Sequence, residues 1–342
     1  LQSQATIQQR NRLVLLCKNM DRWPEALKHS DRCLADLTPE DPDDLAARIA
    51  INRGSVLYDL GERSKAAEFF REALRRSRDG PPLEFAAAAN NVGIFHLYHD
   101  ELDLAEAILR QGLGKIENHP VAPAYLQTNL GLVLLTRALI DPGLIEEAEQ
   151  LFCDVVRRFT QAGHLQGISY AISNRGICAL ARGRTGEAQH SFAETIRLAG
   201  KIGERWSAYG ALANLAAIEL LKPRPNPQEA LRLAVEARDR ARENNDPKGI
   251  ADASLIAARA VLDSVGAAAE GSALLDSAEQ MLTEAGEVFQ RLGQRLGEAQ
   301  SAFGLMELLN CRNDRGALMM ERRGRELLAH TAANAMPSRL KP

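Results

Sequence analysis

Residues 174–192 read Asn174-Arg-Gly176-Ile-Cys-Ala-Leu-Ala-Arg-Gly-Arg-Thr-Gly-Glu-Ala188-Gln-His-Ser-Phe192, and the spacing inside this stretch decides the architecture. Ala, Leu, Arg, Glu and Gln favour helix on both sides of the central Arg182-Gly183-Arg184, and glycine suits a turn. Gly176 precedes Ala188 by 12 residues, and Phe192 follows four later. Small residues at 176 and 188 let two antiparallel helices approach closely, and a large residue one turn on fills the layer beyond.

The pattern recurs. Asn-x-Gly stands at Asn52-Arg53-Gly54, Asn91-Val92-Gly93, Asn129-Leu130-Gly131 and Asn174-Arg175-Gly176, with a fifth copy at Asn214-Leu215-Ala216. These Asn are 39, 38, 45 and 40 residues apart. Gly54 leads to Ala66, Phe70 and Ala73, and Gly93 to Ala105 and Leu109 at the same offsets. Gly131 reaches Ala148 and Phe152, and Ala216 reaches Ala230, after short insertions that carry Pro142 and Pro223-Arg224-Pro225. A final Gly304 and Gly316 are also 12 apart. Prolines fall between the periodic runs, as helix starts and connections require, and Pro24 and Pro142 suit the first turn of a helix. Repetition of a helical pair at this period is the mark of a solenoid, whose hairpins bury their faces only against neighbours.

Composition agrees. Of 342 residues, 53 are Ala and 48 Leu, while aromatics make up only 5%. Such a chain is poor in strand formers, which argues against a sandwich, a barrel or a parallel α/β sheet. A net charge of −3 argues against a dedicated nucleic-acid binder. There is no run of 18 apolar residues and no secretory signal pattern, and the five cysteines are widely spaced. The expectation is a cytoplasmic protein with reduced thiols and no membrane contact.

The small–large–small signature Gly54…Ala66…Phe70…Ala73 and its copies resemble the tetratricopeptide repeat family. The period of about 40 resembles the long-helix variety of kinesin light chains and of bacterial signalling proteins, including peptide-pheromone receptors of the Rap type. The resemblance implies an all-α, right-handed superhelix of about eight hairpins. It is strongest over residues 42–245 and fades over 1–41 and 246–335. One solenoid over 1–335 is expected, with a flexible tail at 336–342.

Catalytic motifs are weak throughout. Gly112-Leu113-Gly114-Lys115 lacks the preceding Gly and following Ser/Thr of a phosphate loop. His96, His99, Asp100 and Asp103 gather at a helix end, where polar residues collect at turns in any case. Glu146, Glu147 and Glu149 suit the start of a helix dipole. No enzyme activity, metal or cofactor is expected. The basic runs at Arg75-Arg76, Arg157-Arg158 and 322–325 read as solvated helix faces.

The Asn series carries the functional reading. In the resembling family the first helix of each pair lines the concave groove, which implies that Asn52, Asn91, Asn129, Asn174 and Asn214 face inward. Arg48, Ser55 and Asp59 accompany them in one repeat, and Asn90, Ile94 and Tyr98 in the next. Tyr125, Thr128 and Leu132 follow, then Tyr170, Ser173 and Ile177. A carboxamide donates to and accepts from a peptide bond, so such a row suits an extended peptide. The competing role is to tie adjacent repeats together. The expected function is a non-catalytic module that binds a peptide or extended protein segment. Alternatives are a sensor region controlling an effector, and a scaffold that self-associates as a homo-oligomer.

Overall fold

The structure is a computed structural model that describes residues 2–20, 22–99, 101–139, 141–265, 273–312 and 314–331. These residues form sixteen α-helices and no strand, the number that eight hairpins require. Contacts divide the chain into two compact units, residues 1–133 and 134–342.

The first unit holds α1 (Gln2–Asn19), α2 (Trp23–Asp36), α3 (Asp43–Asp59), α4 (Arg63–Ser77), α5 (Pro82–Tyr98), α6 (Leu102–Ile116) and most of α7 (Ala122–Arg137). In the second lie α8 (Leu144–Gln161), α9 (Leu165–Ala181), α10 (Thr185–Ile202), α11 (Trp206–Leu221), α12 (Pro227–Glu243), α13 (Pro247–Val265), α14 (Ala273–Leu292), α15 (Arg295–Cys311) and α16 (Ala317–Thr331). Residues 336–342 lie outside the described residues, as does Asp100. Pro24 occupies the first turn of α2, and Pro82 and Pro227 open their helices likewise. Pro142 does not. Asp141 accepts the Gly143 N–H at 3.1 Å and builds a turn around Pro142, so α8 starts only at Leu144.

The close approaches lie where the spacing puts them. A Cβ on Gly54 would come within 2.8 Å of the Phe70 ring, and one on Gly176 within 2.8 Å of Phe192. On Gly93 it would meet Leu109 at 2.5 Å. Ala66, Ala105 and Ala188 are fully buried. Phe70 also reaches the next hairpin, with its ring 5.5 Å from Phe95. Phe70 and Phe192 therefore serve both their own pairs and the stacking of pairs. Replacing Ala66, Ala105 or Ala188 with Leu is expected to cost about 1–3 kcal/mol by overpacking, read as a lower melting temperature in each variant.

The last hairpin departs from the expected register. Gly304 lies against Leu282 of the preceding α14, and Gly316 sits in the connection, its N–H held by Asp314 at 2.7 Å. Here the roles of the two helices are exchanged. Phe303 stands on the first helix, and a Cβ on Gly324 of the second would come within 2.9 Å of its ring.

Within each unit the first helices of successive hairpins touch one another. These are α1, α3 and α5 in the first unit, and α9, α11, α13 and α15 in the second. The second helices make no comparable contacts among themselves in the described residues. The first helices thus form the tighter, inner wall of each unit.

Candidate functional site

On the inner wall of the first unit, the Asn side chains mostly join helices. Asn52 Nδ2 donates to Asn11 Oδ1 at 3.0 Å, bridging α3 to α1. Asn129 Nδ2 donates to Asn90 Oδ1 at 2.8 Å, bridging α7 to α5. Asn91 donates to Ala87 O of its own helix at 2.8 Å, and Thr128 to Ala124 O at 2.7 Å. Arg48 pairs with Asp44 at 3.0 Å and approaches Glu84 of α5 at 3.8 Å. Ser55 and Ile94 are half-buried beside them, and Tyr125 is exposed. Tyr98 stacks on Tyr58 across α5 and α3, with centroids 6.5 Å apart. The side chain of Asp59 lies outside the described residues. Asn11 lies outside the Asn-x-Gly series but stands 41 residues, about one repeat, before Asn52.

The inner wall of the second unit differs. Asn174 on α9 and Asn214 on α11 are half-buried at matching positions and make no hydrogen bond to another described residue. Beside Asn174 stand Tyr170, 38% exposed, and the half-buried Ser173 and Ile177. Two positions further along the array, Arg259 on α13 donates to both carboxylate oxygens of Glu307 on α15, at 2.7 and 2.8 Å. It also pairs with Asp263 at 3.0 Å. This link joins residues 48 apart and leaves no short-range signal in the sequence.

The remaining candidates have structural partners. His96 pairs with Glu101 at 2.5 Å, whereas His99 Nδ1 donates to Phe95 O at 2.7 Å, so the two imidazoles turn to different groups. No cluster of potential metal ligands occurs among the described residues. Arg76, expected to be solvated, bridges Glu72 at 2.6 Å and Asp43 of α3 at 3.1 Å. Glu149 of α8 accepts from Arg184 at 2.6 and 2.7 Å and from Arg182 at 3.0 Å, clamping the α9–α10 connection. Hydrogen bonding from Arg184 above all holds the Glu149 carboxyl below its usual range, against the opposing effect of burial. A lowered native pKa gives stability that is present above the unfolded value near 4.3 and fades as pH falls through the native value. Glu149→Gln is therefore expected to cost about 1 kcal/mol at neutral pH and to flatten the acid limb of a stability–pH curve below about pH 4.3.

The tetratricopeptide repeat family matches residues 6–79. The chain has the tetratricopeptide-repeat fold. The match takes in residues 6–41, where the sequence pattern alone is weakest. No curated protein matches the chain in sequence. Among solved structures, the Rap regulator of conjugation genes of plasmid pLS20, in complex with the Phr* peptide, shares 14% identity. It aligns over 98% of both chains with a TM-score of 0.61. The apo quorum sensor NprR of B. thuringiensis shares 12% over 95% of this chain and 88% of its own, at 0.64. Aspartyl phosphate phosphatase F of Bacillus subtilis shares 12% over 94% and 93%, at 0.62. At these identities the likeness is one of fold.

Proposed function

We propose that the protein is a non-catalytic module that binds an extended peptide or protein segment along the inner wall of its second unit. The observation that carries this reading is the pair Asn174 and Asn214. Both stand on the wall and make no hydrogen bond to another described residue, whereas Asn52 and Asn129 donate to neighbouring helices. Adjacent packed helices lie about 8–10 Å apart, so the two carboxamides meet an extended backbone about three residues apart at ~3.3 Å per residue. Tyr170 supplies a large, stiff contact surface beside them. A regulatory sensor is the form of this reading that the neighbours favour, since one is a quorum sensor and another a conjugation regulator solved with a peptide. We place the protein in the cytoplasm, in keeping with its free cysteines and with the absence, among the described residues, of a helix long and apolar enough to cross a membrane.

The test is selection of linear peptides from a random displayed library on the immobilised protein, repeated on the Asn174→Ala/Asn214→Ala variant. Sequences enriched on the parent and lost on the variant support the proposal. Enrichment of the same sequences on both proteins, or of none on either, refutes it.

A further inference from the structure

The first helix carries a second surface, independent of the inner wall. One side of α1 is buried through Ile7, Val14 and Cys17. The opposite side exposes Leu13 at 42% and Leu16 at 56%, with Met20 just beyond the helix end at 63%. These three stand at i, i+3 and i+7 and make one stripe.

The repeat register shows what such a stripe does. Ala26 and Ala66 occupy matching positions 40 residues apart, so Leu13 and Leu16 correspond to Arg53 and Val56 of α3, and one repeat on to Val92 and Phe95 of α5. Val56 is fully buried against Val14, Cys17, Ala26 and Leu27 of the preceding hairpin. Arg53 reaches back to Asp31 of α2 at 2.6 Å. Val92 and Phe95 are buried with Ala66 and Phe70 of the hairpin before them. The α1 stripe therefore occupies the register positions at which α3 and α5 receive the hairpin before them.

Charge narrows the occupant. The α1 helix carries Arg10, Arg12 and Lys18 and no acidic residue. Arg10 pairs with Asp36, while Arg12, exposed next to Leu13, makes no ion pair among the described residues. A second copy fits poorly. Its α1 brings the same positive edge. Its α16 exposes Leu318 and Met319 side by side rather than as a stripe, and holds Arg322 to Glu326 and Arg325 to Glu321 along its outer side.

We propose that the outer face of α1, formed by Leu13, Leu16 and Met20 and edged by Arg12, docks an acidic amphipathic helix of a partner protein, packed as α2 packs on α3. The probe is a lactam-stapled peptide with the sequence of α2 (Trp23–Asp36), the helix that covers the matching face of α3. One version carries Lys28→Glu and Arg32→Glu, and the control carries Glu25→Lys, Asp31→Lys and Asp36→Lys. Fluorescence anisotropy on the full chain is expected to show binding of the acidic version and at least tenfold weaker binding of the control. Leu16→Glu is expected to weaken the acidic version at least tenfold, and Arg12→Glu several-fold. Both residues are exposed, so helicity and melting temperature are expected to match the parent and to report any folding defect separately. Failure of the acidic peptide to bind, or equal binding of the control, overturns the proposal. So does a parent that is dimeric by light scattering and turns monomeric with Leu16→Glu, which would assign the face to a second copy.

Discussion

Replacing Phe192 with Ala is expected to lower the unfolding free energy by about 3–5 kcal/mol, as for other fully buried aromatic residues truncated in a core. The size follows from what the ring touches. Phe192 is fully buried, and its edge fills the notch that Gly176 leaves on α9. It also packs with Ala179, Ala188, Ala211 and Ile218, which brings α11 of the next hairpin into the same cluster. Gly176, Ala179, Ala188 and Ala211 have no side chain long enough to reach into the space, and the fully buried Ile218 is already packed in place. The cavity therefore stays open, and the cost includes lost contacts as well as lost transfer free energy. Because solenoid stability is a sum of repeat and nearest-neighbour contributions, amide exchange is expected to speed up most in α9–α11. Urea unfolding followed by circular dichroism gives the magnitude. A loss below about 1 kcal/mol would mean that the close-packing register does not govern stability here. The reciprocal change, Gly176→Val, overpacks the same notch and is expected to cost about 1–3 kcal/mol.

That register was legible from sequence because it depends on neighbours about 12–16 residues apart. Gly54 with Ala66 and Phe70, Gly93 with Leu109, and Gly176 with Phe192 each lie inside one hairpin, so a fixed spacing encodes them. The pattern failed where geometry changed without changing the spacing. Gly304 and Gly316 kept the interval of 12 by coincidence, while the real contact exchanged glycine and phenylalanine between helices as Phe303 and Gly324. Pro142 failed for a different reason. A preceding Asp able to cap a turn competes with helix initiation, and here Asp141 prevails. The candidate site was legible only in part. Sequence placed Asn52, Asn129, Asn174 and Asn214 at equivalent positions, yet their partners depend on what the adjacent first helix presents. Asn11 and Asn90 happen to face Asn52 and Asn129. Asn174 and Asn214 are also one repeat apart, at 40 residues, yet neither bonds to another described residue. One repeated residue type therefore occurs in two hydrogen-bonding settings that the spacing alone does not separate.

This division of roles yields the second large effect. For a peptide captured on the inner wall, Asn174→Ala combined with Asn214→Ala is expected to weaken binding by about tenfold or more. Two hydrogen bonds at about 0.5–1.5 kcal/mol each give at least that factor, since ~1.4 kcal/mol is tenfold. Melting temperature is expected to stay close to that of the parent, because neither amide bonds to another described residue. The pair Asn52→Ala and Asn129→Ala is expected to behave in the opposite way. Each change strips a partner from a half-buried amide that links two helices, so stability falls by about 1–3 kcal/mol per site while peptide affinity of the folded protein holds. Arg322→Ala is the neutral control, its side chain being 82% exposed. Isothermal titration with a selected peptide, run beside thermal melts of the same samples, separates the two roles. If the 174/214 double variant binds normally, the second unit's inner wall is not the peptide site. If it instead melts several degrees low, those amides also lock helices together, and the contrast between the two units disappears.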